Sequence, residues 1–146
     1  MKASELMIGD WVFLKTLDRK EVKQVTGVYA HGCCKHGYVQ VKNIDCSAEY
    51  LEPIPLTPEI LVANGFEMCT ESPYRKEFDL NLPREDAEYD FFCVDLHVKA
   101  GYGNIYYNPI DKMDRLNFIA KPLYVHHLQH ALRECGIDKE IKLKED

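Results

Sequence analysis

The chain has 146 residues, 46% of them hydrophobic and 29% charged, with a formal net charge of −6; this is the make-up of one domain or two small lobes, not of a disordered segment. Seven of the 18 Lys and Arg and seven of the 24 Asp and Glu fall in residues 1–56, which leaves 11 and 17 for the remainder, so the second half lacks the basic excess with which duplex-binding domains neutralise phosphates. No run of about 18 apolar residues occurs, so no transmembrane helix and no membrane partner are expected.

The first segment carries Lys2 but no continuous apolar region, and does not read as a signal peptide. Six cysteines without an export signal then read as reduced thiols of a cytoplasmic protein. Gly9-Asp10 is a turn signal before the apolar run from Trp11 to Thr16, a predicted strand. Asp18 to Lys20 makes a hairpin tip. The next strand runs from Val22 to Ala30, with Val22, Gln24, Thr26 and Val28 on one face and Val25 and Tyr29 on the other. Gly27 within it suggests a bulge. A loop from His31 to Gly37 leads to a strand from Tyr38 to Lys42. Asn43 to Cys46 reads as a turn, and Ser47 to Ile54 as a fourth strand. Short strands joined by tight turns predict a small SH3-like β-barrel over residues 1–55.

Pro53, Pro55 and Pro58 then stop any strand or helix, because each lacks a backbone N–H and has a fixed φ. Thr57 can cap a following helix, Pro58 suits its first position, and Gly65 suits its end. Ile54 and Leu56 are expected to be buried at this hinge. Residues 56–146 read as helix, antiparallel strands, helix: a helix over about 58–64, strands within about 66–120, and a helix over about 123–135. The clearest strand is Tyr89 to Lys99. Phe92, Val94, Leu96 and Val98 line one face, and Phe91, Cys93, Asp95 and His97 the other. Gly101 to Gly103 reads as its hairpin turn. The last helix places Tyr124, Val125, Leu128, Ala131, Leu132 and Cys135 on one arc, and the charged tail from Asp138 is expected to fray. The fold class is α+β.

Ligand-type residues cluster at His31, Cys33, Cys34 and His36, with Cys46 further on and Cys69 as another possible donor. Zinc takes Cys and His in tetrahedral sets, but adjacent Cys33 and Cys34 point apart in an extended chain and no second spaced pair follows. A hairpin loop with incidental thiols is the simpler account. His126 and His130 share a helix face at i and i+4, but the zincin pattern needs Glu where His127 stands, and both histidines are expected on the solvent side. Cys93, Asp95 and His97 would suit nucleophilic catalysis if they converged; alternating residues stand about 7 Å apart on a strand and are not expected to bond directly. Glu85, Asp86, Glu88 and Asp90 lack the glycine-centred loop of an EF-hand. No metal site, cofactor or catalytic residue is therefore assigned. Tyr102, Tyr106, Tyr107 and Leu56 are the candidate interaction surface.

Three segments, Glu5-Leu6-Met7-Ile8-Gly9-Asp10-Trp11-Val12, Glu52 to Thr57 with Gly65-Phe66, and Tyr124-Val125-His126-His127-Leu128-Gln129, resemble in the same order those of a group of uncharacterised small Bacteroidetes proteins found in prophage-like or mobile-element settings. Asp10 stands where that group has Asn, and His127 where it has Gln. The resemblance implies a cytoplasmic protein of two parts and brings no activity with it. The leading expectation is a non-enzymatic protein-binding or assembly module, self-association included. One alternative is a nucleic-acid accessory protein using Lys15, Arg19, Lys20 and Lys23; another is a small metal-dependent hydrolase built on the histidines.

Overall fold

The computed structural model describes residues 1–29, 35–83, 89–109 and 116–144. The chain divides into two compact units: Met1–Ile54 with Tyr124–His126 and Lys142–Asp146, and Pro55–Leu123 with His127–Ile141. The two later stretches that join the first unit could not be read from contiguous segments. No helix among the described residues is long and apolar enough to cross a membrane.

The first unit is an antiparallel sheet of β1 (Trp11–Lys15), β2 (Lys20–Tyr29), β3 (Tyr38–Val41), β4 (Ile44–Ser47) and β5 (Leu51–Pro53), in the order β4-β3-β2-β1-β5. β4 and β5 are its two edges among the described residues, so the sheet is not closed, and this pairing alone does not make the SH3-like barrel expected. Val12, Leu14, Val25, Val39, Val41 and Leu51 form its core with Ala3, Leu6 and Ala48. Gly27 does mark a bulge, because the β2–β3 register shifts between Val25 and Gly27. The extra residue changes the alternation, so Val25 and Val28 pack against the same core instead of opposite faces. The turn expected at 43–46 is shorter. Lys42 takes φ 57, and the chain reverses there so that Ile44 pairs with Val41. The fourth strand is interrupted by a 3-10 turn at Ala48–Tyr50. Before β1, the buried Asp10 accepts the Met7 N–H at 2.8 Å and so satisfies a turn donor.

The second unit opens with α1 (Pro58–Ala63). Thr57 Oγ1 accepts the Ile60 N–H at 3.4 Å and Pro58 occupies the first turn. Five strands follow as an antiparallel meander: β6 (Glu67–Glu71), β7 (Lys76–Pro83), β8 (Tyr89–His97), β9 (Tyr102–Asn108) and β10 (Leu116–Ala120), in the order β10-β9-β8-β7-β6. Alternation places Phe78, Leu80, Phe92, Val94, Leu96 and Ile105 in the core. Phe66 meets Phe92 edge-on, with ring centroids 6.4 Å apart. The closing helix α2 (Val125–Glu134) buries Leu128, Ala131 and Leu132 as its periodicity predicts. The charged tail is anchored as well, since Ile141 is 1% exposed.

The β8–β9 turn, at residues 98–101, comes two positions or more before the one expected at 101–103. Gly101, at φ 68, completes it, while Tyr102 and Gly103 already pair with His97 and Leu96. Val98 therefore lies in the turn and is exposed instead of continuing the core face. Gly103 is required for close approach: a Cβ there would lie 2.7 Å from the Leu123 side chain. Gly103→Ala is expected to cost about 1–3 kcal/mol in urea unfolding. The cost should shrink in a Leu123→Ala background, where the colliding atoms are mostly gone.

Candidate functional site

The opposite face of the second sheet is polar. Across β7 and β8, Glu77 faces Asp95 and Asp79 faces Cys93. Across β8 and β9, Cys93, Asp95 and His97 face Tyr106, Asn104 and Tyr102. The period of two thus places alternate residues of three strands on one surface.

Asp95 is its centre and is only 3% exposed. A buried carboxylate is tolerated only with donors around it. Arg75 Nε donates to both its oxygens at 2.8 Å, and the Tyr106 hydroxyl donates at 3.3 Å. Arg75 also meets Glu77 at 3.2 Å and the Tyr106 oxygen at 3.4 Å. It is aimed by the β6–β7 turn, where Ser72 Oγ accepts the N–H groups of Tyr74 and Arg75. Hydrogen bonding to Asp95, then its charge, raises the Arg75 pKa above its already high value. Burial, then the Asp95 charge, raises that of Tyr106.

His97 Nε2 lies 3.1 Å from Asp95 Oδ2, contrary to the expectation that neighbours on one strand face do not bond directly. Strand spacing separates Cβ atoms, and an imidazole is long enough to lean back across the gap. Tyr102 stacks on the ring, with centroids 4.2 Å apart and planes 14° from parallel.

Cys93 does not join this pair. Its thiol faces Glu77 Oε1 at 3.4 Å, and burial, followed by the Asp79 and Glu77 carboxylates, drives its pKa far upward. Cys69 donates to Asp79 Oδ2 at 3.0 Å, and chiefly through that hydrogen bond its pKa is pushed up to about 11. A nucleophilic thiol needs the opposite environment, so no Cys-His-Asp relay is assembled. Glu77, Asp79 and Cys93 bring their ligand atoms within 4.8 Å of one another.

At the end of the same sheet an open, mainly apolar pocket has a volume of about 240 Å³. Its walls are the segment from Pro55 to Pro58, the end of β8 from Leu96 to Val98, Gly101-Tyr102 and Pro122-Leu123. The Leu56 N–H donates to the Leu123 carbonyl at 3.0 Å, which joins two of these walls.

Of the expected contact residues, Leu56 and Tyr102 line this pocket. Tyr106 is half-buried in the Asp95 network, whereas Tyr107 is 8% exposed and packs on Phe92 in the core. His31, Cys33 and Cys34 lie outside the described residues, as do Glu85, Asp86 and Glu88; the Asp90 side chain is not described. His36 is half-buried, and its carbonyl accepts the Ala3 N–H at 2.9 Å. Cys46 donates to the Val39 carbonyl at 3.6 Å, and burial raises its pKa. His126 is not on a solvent face: it is 5% exposed and stacks on Tyr124. The adjoining Val125 N–H bonds the Ile54 carbonyl at 2.9 Å, so the helix start is held in the first unit. His130 is half-buried. Arg75, Glu77 and Asp79 were missed. Their one signal was the alternation of β7, which matches that of β8 only once the register is known.

Compared with protein-family models, curated proteins and solved structures, the chain matches none.

Arg75→Ala leaves the buried Asp95 carboxylate without its main partner and is expected to cost at least about 2 kcal/mol in urea unfolding, below the full cost of a wholly buried pair because Arg75 is partly exposed. At pH 8, with chelator present, Cys69 should alkylate slowly despite its exposure, and its rate should keep rising with pH to about 11. Asp79→Asn removes the carboxylate charge that holds the proton, leaving at most a neutral amide oxygen as acceptor. The Cys69 rate at pH 8, read by peptide mapping, should then rise roughly tenfold, the gain in thiolate being partly offset by lower thiolate nucleophilicity.

Proposed function

We propose that the chain is a non-enzymatic protein-binding or assembly module, and that it takes an apolar side chain of a protein partner into the pocket walled by Leu56, Leu96, Tyr102 and Leu123. The observation that carries this reading is the pocket itself: a concave, mainly apolar recess with a polar corner at His97. Ligand sites combine apolar walls with a few polar groups that orient the guest. The Tyr102–His97 stack offers a flat face suited to a proline or aromatic anchor. A mobile-element setting belongs to the same proposal and rests on the resemblance alone.

The alternatives find less support. Lys15 and Lys20 both pair with Glu52, while Arg19 and Lys23 pair with Glu21 at 2.6 and 3.1 Å. The basic cluster behind the nucleic-acid reading is thus matched by carboxylates at its own hairpin and at β5. For the small metal-dependent hydrolase built on the histidines, His126 is buried against Tyr124 instead of facing solvent with His130.

Selection of displayed peptides on the purified chain should enrich sequences with a proline or aromatic anchor. Val98→Glu puts a charge at an exposed rim position and should weaken their binding at least about tenfold without lowering thermal stability. Peptides that bind Val98→Glu as well as the parent chain would overturn the pocket assignment, and no enrichment over an unrelated protein would overturn the module reading.

A further inference from the structure

We propose that Cys69, Glu77, Asp79 and Cys93 form a binding site for a divalent cation of the zinc class, with two thiolates and two carboxylates as ligands. This goes beyond the peptide-binding reading and uses different residues of the second unit.

Three strands supply the set. Asp79 sits opposite Cys93 across β7 and β8, and Glu77 follows on the same face of β7. Cys69 comes from β6 through an irregularity: the β6–β7 register shifts between Met68 and Thr70, and Cys69 is the residue between them. A bulge re-aims a side chain, and here the Cys69 sulfur reaches Asp79 at 3.0 Å. The donor atoms of Glu77, Asp79 and Cys93 already lie within 4.8 Å of one another. Tetrahedral zinc, with sulfur at about 2.3 Å and oxygen at about 2.0–2.2 Å, would draw these three slightly closer and bring in Cys69, whose sulfur lies outside that group but against Asp79. Cys93 is 6% exposed with its thiol directed at the Glu77 carboxylate, so a soft donor is buried among hard ones. Thiolates select zinc-class ions over magnesium or calcium. Arg75 grips the other Glu77 oxygen at 3.2 Å, the position of an orienting outer partner.

Four protein ligands make a closed, structural site. The fold has a use for one there. β6 is an edge strand in which all five residues are exposed, so burial does little to hold it. A cation bound by Cys69 on β6 and Cys93 on β8 would clamp that edge across β7.

The test is titration of the full-length, chelator-stripped protein with Co²⁺. The expected result is saturation at one equivalent, with a thiolate-to-cobalt charge-transfer band and strong tetrahedral d–d bands, reversed by Zn²⁺. Cys69→Ser, at an exposed position that leaves the fold intact by circular dichroism, should lower the affinity at least about tenfold. Cys93→Ser should do the same, Cys135→Ser should change nothing, and Zn²⁺ should raise the Tm of the parent chain but not of Cys69→Ser. Absence of a saturable thiolate band overturns the site. So does a band that survives Cys69→Ser but disappears in Cys33→Ser/Cys34→Ser.

Discussion

The second unit depends on a buried negative charge. Asp95 lies near the end of β8, the central strand of its sheet, at 3% exposure, where an unpaired carboxylate would cost far more than the unit can offset. Its donors come from three places: Arg75 before β7, Tyr106 on β9, and His97 two residues along β8. His97 shares the strand of Asp95, but Arg75 and Tyr106 are placed correctly only in one register. A slip by one residue on either neighbour would send its polar side chains into the core and take that neighbour's donor away from Asp95. The ion pair is therefore better understood as a specifier of alignment than as a large source of stability.

This requirement divides the sheet by face. On one side Phe78, Phe92, Val94 and Ile105 are fully excluded from water, and burial of that kind supplies the main favourable term. On the other side a chain of polar contacts runs from Cys69 and Asp79 through Glu77, Arg75 and Asp95 to His97 and Tyr102. Its two ends differ chemically. One collects thiols and carboxylates; the other opens into an apolar recess. The hairpin turns at that second end are tied together, with the Val98 N–H on the Tyr74 carbonyl and Lys99 over the Tyr74 ring, so the rim is built on turns braced against each other.

The first unit solves a simpler problem. Its core cluster is small and aliphatic, and the charged side chains of its first hairpin pair with Glu21 on β2 and Glu52 on β5. Backbone irregularity is its main device. The bulge at Gly27 and the φ-positive turn at Lys42 let ten-residue β2 serve both the β1 and the β3 pairing.

By itself the sequence determined what is local. The Thr57 cap and Pro58, the stop at Gly65, the Gly27 bulge, the alternation of β8 and the apolar arc of α2 depend on neighbours a few residues away, and all are present. Local reasoning placed the turns at 43–46 and 101–103 later than they fall, because several polar residues there could end a strand and long-range pairing chooses among them. Only tertiary structure decided the rest. Sheet closure depends on which edges pair, the burial of His126 on its setting in the first unit, and the grouping of Cys69 with Asp79, or of Arg75 with Asp95, on β-sheet register. A strand's sequence tells which residues share a face. Only the register against its neighbours, which the buried charge and the apolar core select together, says which partners they meet.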